Sequence, residues 1–313
     1  MQKQIMDYQI DEEFKIYMLL KNVDRRITKN GKDYLAIQFQ DRSGIVRGNY
    51  WDVKPSESEI YKNGAVVLLH GKKELYHNTP QIKIISLELV TEGDNSNPEL
   101  YVPKAPMSQD DLKAEFSKIV FEINNPDWNR VVRYLLKKYD NEFFTFPAAK
   151  SNHHAFERGL AYHTLSIVRL AQSVGKQYSQ INMSLLLAGA ILHDLGKTIE
   201  LSGPVATTYT LPGNLIGHIV LVDEEIVQAA EKLKIDINSE SMILLRHMIL
   251  SHHGLNEYGS PVVPHILEAV VLHDLDEMDA QIQMVSEAVN KTEPGKFSER
   301  VFGMDNHNFF NHS

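Results

Sequence analysis

A chain of 313 residues is long enough for two domains, since single hydrophobic cores rarely keep growing past ~250–300 residues. Apolar residues make up 43% and charged residues 23%, ordinary values that exclude a wholly disordered or collagen-like chain. With no cysteine, disulfides, zinc–thiolate sites, iron–sulfur clusters and thiol nucleophiles are excluded, and a net charge of −9 argues against coating nucleic acid by bulk charge.

Met1 to Tyr17 carries Asp7, Asp11, Glu12 and Glu13 without an apolar h-region, so no secretory signal is expected. Five β-branched or aromatic runs follow: Phe14 to Thr28, Tyr34 to Phe39, Ile45 to Trp51, Ala65 to Leu75 and Gln81 to Val90. Asn30-Gly31 marks a hairpin, Asp41-Arg42-Ser43-Gly44 a second turn, and Ser56 to Tyr61 a short helix ending at Asn63-Gly64. Five strands with a helix between the third and fourth is the order of an OB-fold, an all-β Greek-key barrel whose face commonly holds oligonucleotides. From Phe14 to Thr91, 13 Lys and Arg stand against 8 Asp and Glu, a local basic excess. Tyr34, Phe39, Tyr50, Trp51 and Tyr76 are candidates for stacking on bases, with Tyr34 and Trp51 taken as substrate-binding residues. Alternate strand residues face inward, so about half of these aromatics should be packing.

The chain then turns to Gly, Asn, Ser and three prolines, a linker over residues 93–107 that follows a barrel over residues 1–92. Helical periodicity takes over for residues 108–290, an all-α domain, and residues 291–313 form a polar tail with scattered aromatics. Ser108 caps a helix carrying Leu112, Phe116, Ile119, Val120 and Ile123, and Asn125-Pro126 starts another carrying Trp128, Val131, Val132, Leu135 and Leu136. The longest apolar run, Met183 to Leu192, is too short to span a bilayer, and no membrane partner is expected.

Ten of the 14 histidines fall between His153 and His273. His163 continues the seam Leu160, Ile167, Leu170, Val174, and His193 ends an almost wholly apolar helix that Gly196 should terminate. His218 heads the face Val222, Ile226, Ala229, Leu233, and His252 ends the face Leu245, Met248, Ile249. Four helices thus each aim one imidazole at the core. Burying several imidazoles is costly unless a shared divalent metal satisfies them, and Asp194 supplies the carboxylate that a bridge between two ions needs. Asp274, Asp276 and Asp279 all flank the seam Val271, Leu275, Met278, Ile282, Val285, Val289 of the last long helix, and periodicity does not choose among them.

His193-Asp194-Leu195-Gly196-Lys197 resembles the HDxGK signature of the HD superfamily of metal-dependent phosphohydrolases. Together with the barrel, Gly159-Leu160-Ala161-Tyr162-His163-Thr164, Gly217-His218-Ile219, Ser251-His252-His253-Gly254 and Met278-Asp279-Ala280 resemble the YhaM family of bacterial 3′-to-5′ exoribonucleases over nearly the whole chain. That resemblance implies a metal set of His163, His193, Asp194, His218, His252 and Asp276, with Asp274 and Asp279 solvated or supporting. It favours two manganese ions, although cobalt, iron or zinc suit the same donors. Lys197 is placed to neutralise a phosphate or pack the Asp194 carboxylate. His253 is either a supporting donor or a further ligand, and is counted with Asp194 and Lys197 in the catalytic set. His153 and His154 read as an exposed loop pair; His154 and Arg158, near the substrate mouth in HD enzymes, are taken as substrate-binding.

The implied activity is hydrolysis of single-stranded RNA from its 3′ end to mononucleotides, with single-stranded DNA a second candidate substrate, a homo-oligomer a candidate assembly and the cytoplasm the expected setting. An HD nucleotidase or signalling-nucleotide phosphodiesterase, with the barrel serving assembly, is the alternative.

Overall fold

The computed structural model describes residues 3–54, 57, 59–77, 79–150 and 154–312. His153 and part of the expected helix over Ser56 to Tyr61 lie outside the described residues. Two compact units divide the chain, Met1–Lys104 with Gly203–Thr207, and Ala105–Ser202 with Thr208–Ser313.

The first unit is the expected five-stranded barrel. Its strands are β1 (Glu13–Ile27), β2 (Asp33–Asp41), β3 (Gly44–Trp51), β4 (Val66–Tyr76) and β5 (Thr79–Val90). They close in the order β1-β2-β3-β5-β4, with β1 bonded to both β2 and β4 and with β3 and β5 parallel, so no edge is left open. Strand alternation sends Phe14, Ile16, Met18, Leu20, Leu35, Ile37 and Phe39 into one core. Register shifts in β1 at Leu20/Asn22 and in β4 at His70/Gly71 let these long strands bend around it. Among the candidate stacking residues, Phe39 is fully buried and Tyr50 packs edge-on against Tyr61. Tyr34 and Trp51 are direct partners across β2 and β3, with ring centroids 4.7 Å apart and Trp51 56% exposed. Part of the stretch expected as linker packs on the barrel: Pro98–Tyr101 forms a 3₁₀ turn, and Tyr101 and Val102 are buried with Leu19 and Val66.

The second unit is helical: α1 (Gln109–Phe121), α2 (Pro126–Lys138), α3 (Asp140–Phe143), α4 (Gly159–Gln177), α5 (Met183–Leu192), α6 (Lys197–Glu200), α7 (Leu211–Leu215), α8 (His218–Leu233), α9 (Glu240–Leu250) and α10 (Leu267–Asn290). Ser108 and Asn125 cap α1 and α2 as expected, accepting from the backbone of Asp111 and of Asp127 and Trp128. The α5 helix is buried from Leu185 to Leu192, which explains a sequence apolar on every side. After α10, Phe297 pairs with Phe310 and Val301 with His307 around a 3₁₀ turn at Phe302–Met304. Among the described residues no helix is long and apolar enough to cross a membrane.

One expected face is rotated. On α10 the buried residues are Glu268, Ala269, Leu272, Leu275 and Asp279, whereas Met278 and Ile282 of the expected seam are 38% and 55% exposed. The inward face is chosen by the acids: Asp279 and Asp276 meet buried imidazoles, and these charged hydrogen bonds outweigh the burial of two apolar side chains.

Candidate metal centre

Four separate segments bring imidazoles to one point. His163 sits in the second turn of α4 and His218 is the first residue of α8. His193 and His252 lie just past the C-terminal ends of α5 and α9 rather than on their faces, where the ending helix turns the chain inward. Gly196 is not a left-handed helix terminator, because its φ is −59°. It serves by being small: a Cβ there would lie 2.1 Å from the His218 carbonyl oxygen. Close backbone contact between residue 196 and His218 therefore sets the spacing of two parts of the site.

Asp194 is at the centre, almost completely buried. Its Oδ2 lies 3.5 Å from His163 Nε2, 3.4 Å from His193 Nε2 and 2.6 Å from Lys197 Nζ. Its Oδ1 faces the other way, 3.5 Å from His218 Nε2 and 3.9 Å from His252 Nε2. Asp276 joins the first group, with Oδ1 3.1 Å from His163 Nε2 and 3.9 Å from His193 Nε2. Among the described residues three clusters have metal-ligand spacing, His163/His193/Asp276, His218/His252/His253 and His154/His163/Asp279, and the two oxygens of Asp194 are divided between the first two. Asp274, by contrast, is exposed.

Orientation of the rings argues for ions rather than for a packed polar core. His193 and His252 donate from Nδ1 to the carbonyls of Ala190 (2.8 Å) and Ile249 (2.6 Å), and His253 to that of Tyr258 (2.7 Å). His163 Nδ1 is 2.8 Å from Asp279 and His218 Nδ1 is 3.1 Å from Glu200. Each Nδ1 thus donates, and in His193, His218 and His252 this leaves Nε2 as a lone-pair donor, which is how metal-bound histidines are held. The buried Nε2 atoms of His193, His218 and His252 and the Oδ1 of Asp194 have no hydrogen-bond partner among the described residues. Donors each ~2.1 Å from one ion lie roughly 3–4 Å from one another, the spacing found here. His and carboxylate donors without sulfur fit a divalent cation.

The electrostatics are dominated by the acids. Burial alone favours neutral groups, yet Lys197 and His193 hold Asp194 well below the usual carboxylate range, and His163 does the same for Asp276. Against its own burial, His163 is raised well above the ordinary imidazole value by Asp194, Asp276 and Asp279. His252, buried beside His253 and His193, is pushed well below it. Lys197 stays charged because Asp194 offsets its burial.

Further residues surround the ligands. Asp279, expected to be solvated or supporting, is buried and accepts from His163, His154 and the Ser166 hydroxyl. His154 is buried rather than exposed, with its Nε2 2.9 Å from the same Asp279 carboxylate that holds His163. Arg158 is half-buried, with its guanidinium 3.8 Å from Glu157, and does not line the cavity beside the ligands. That cavity, of about 590 Å³, is bordered by Lys197, Glu200, His218, His253 and Asp276. Glu200 was missed in the sequence; its position three residues after Lys197, on the same helical turn, was the available signal.

A family model described as the HD domain matches residues 160–281. Proteins named 3′-5′ exoribonuclease YhaM from Listeria innocua serovar 6a and Listeria welshimeri serovar 6b are each 43% identical to this chain over 311 residues, covering 99% of this chain and 99% of the relative. A protein of that name from a Geobacillus species is 42% identical over 310 residues, covering 99% and 95%. No solved structure matches. With identity running across the barrel and the histidine–aspartate centre alike, this chain belongs to the family of the 3′-5′ exoribonuclease YhaM proteins.

Proposed function

We propose that this chain is a metal-dependent 3′-to-5′ exoribonuclease that hydrolyses single-stranded RNA to mononucleotides in the cytoplasm, with single-stranded DNA a further candidate substrate. The observation that carries the reading is Asp194, whose two oxygens are divided between two histidine clusters beside an open cavity. Two divalent ions, manganese foremost, when bound there supply an activated water and neutralise the phosphoryl oxygens of an in-line displacement. His163, His193 and Asp276 would hold one position, His218 and His252 the other, and Asp194 would serve both. Lys197 borders the cavity with its ammonium on Asp194, where it balances charge on the carboxylate and adds positive potential for a phosphate. His253, anchored through Nδ1, offers Nε2 to the second cluster. On the barrel, the Tyr34–Trp51 stack, whose outer ring Trp51 is exposed, and the local basic excess supply a sequence-tolerant grip on unpaired bases. Pure protein with manganese is incubated with 5′-labelled single-stranded RNA and sampled over time. A ladder shortening stepwise from the 3′ side is expected; intact RNA beside hydrolysed free nucleotides would replace the exonuclease by a nucleotidase.

A further inference from the structure

Two tyrosines complete the wall of the cavity beside the ligands, Tyr209 and Tyr258. Their side chains are 45% and 62% exposed and belong to no hydrophobic cluster of the helical unit. Both are held by the same short loops that orient the ligands. Tyr258 lies in the 3₁₀ turn Asn256–Tyr258, and its carbonyl oxygen accepts the Nδ1 proton of His253. Tyr209 bridges Leu201, and the N–H of the next residue, Thr210, donates to the Glu200 carbonyl at 2.9 Å, while the Glu200 carboxylate holds His218. The Lys150 ammonium stands 5.9 Å from the centre of the Tyr209 ring. Two exposed tyrosines thus have their backbones tied to the metal centre although their rings join no described cluster of the helical core.

We propose that Tyr258 and Tyr209 are the stacking walls for the 3′-terminal base, binding the polymer's end beside the centre built on His163 and Asp194. The proposal rests on the exonuclease reading above. Aromatic faces accept any of the four bases, so such a subsite tolerates sequence but needs an unpaired terminal base. The cavity volume suits one small organic unit, within the ~300–1,000 Å³ of typical ligand pockets, rather than a base-paired end.

The test uses the full chain with manganese and two short 5′-labelled oligoribonucleotides, alike except that one ends in an abasic ribose. For the wild type the abasic end should raise KM roughly 10-fold with kcat little changed. Tyr258→Ala and Tyr209→Ala should each raise KM on the intact end and show a much smaller loss on the abasic one. Tyr258→Phe and Tyr209→Phe, which keep the ring, should behave as wild type. Wild-type KM in both alanine variants, an equal loss on both substrates, or phenylalanine variants as weak as alanine ones would overturn the stacking role while leaving stepwise RNA shortening intact. Failure of the wild type to shorten either RNA would instead remove the exonuclease reading itself.

Discussion

Replacing Asp279 with Ala tests whether the imidazoles are held for metal or merely packed. The carboxylate accepts from His163 Nδ1 at 2.8 Å, from His154 Nε2 at 2.9 Å and from the Ser166 hydroxyl. Its removal leaves three buried or half-buried donors without their acceptor. Losing one member of such a buried charged network costs ~3–5 kcal/mol of folding stability. The effect on metal is separate: without its anchor, His163 no longer has a fixed tautomer or ring orientation, a loss typically of ~10–100-fold in ion affinity. Asp279→Asn keeps the volume but cannot accept three such bonds, and should lie between Ala and wild type. Asp274→Ala, on the exposed side of the same helix, is the control and should change stability by less than ~0.5 kcal/mol. Chemical denaturation in the presence of chelator reads the first effect, and calorimetric titration with manganese the second. Unchanged manganese affinity in a folded Asp279→Ala protein would refute the orienting role.

Chelation should abolish RNA hydrolysis and added manganese restore it, and Asp194→Ala should lower turnover by roughly 10²-fold or more while the helical unit stays folded. Circular dichroism and single-turnover kinetics check both. Trp51→Ala, which removes the outer ring of the barrel stack, should weaken RNA binding by an amount equal to ~1–3 kcal/mol without altering kcat, whereas Phe39→Ala should cost ~3–5 kcal/mol of barrel stability. Fluorescence anisotropy at rising salt separates the two cases. Glu200, though burial opposes its ionisation, is held below the usual carboxylate range by His218, so it stabilises the fold above its unfolded value of ~4.3 and loses that contribution as pH falls below it. In chelator, the Tm gap between wild type and Glu200→Gln should therefore narrow from about pH 6 to about pH 3.

How much the sequence discloses depends on whether a residue's neighbours are local. The strands, their turns and the helix starts at Ser108 and Asn125 are written in adjacent residues, and the observed elements match them to within one or two positions. His163 and His218 were readable because each lies in a helix whose apolar face points the same way. The α10 helix misleads for the opposite reason: Met278 and Ile282 look like core, but Asp279 finds His154 and His163 more than a hundred residues away and turns the helix to suit them. His154 was misread as exposed on the same ground, since its only signal is a carboxylate remote in the chain. Glu200 escaped because a single acid beside a lysine is indistinguishable from a solvated pair.

The contact at Gly196 sets a limit on which changes the enzyme can absorb. Residue 196 ligates nothing, yet the smallest possible addition, one methyl group, would collide with backbone atoms of His218 and drive the two parts of the ligand set apart. Backbone cannot swing aside as a flexible side chain does. A saturation library scored on RNA hydrolysis should thus accept no replacement at this position, while the exposed Asp274, chemically far closer to a ligand, should accept nearly all. In this protein mutational tolerance is governed at such points by spare volume, and a survey that ranks positions by the reactivity of their side chains would pass over one of the least replaceable.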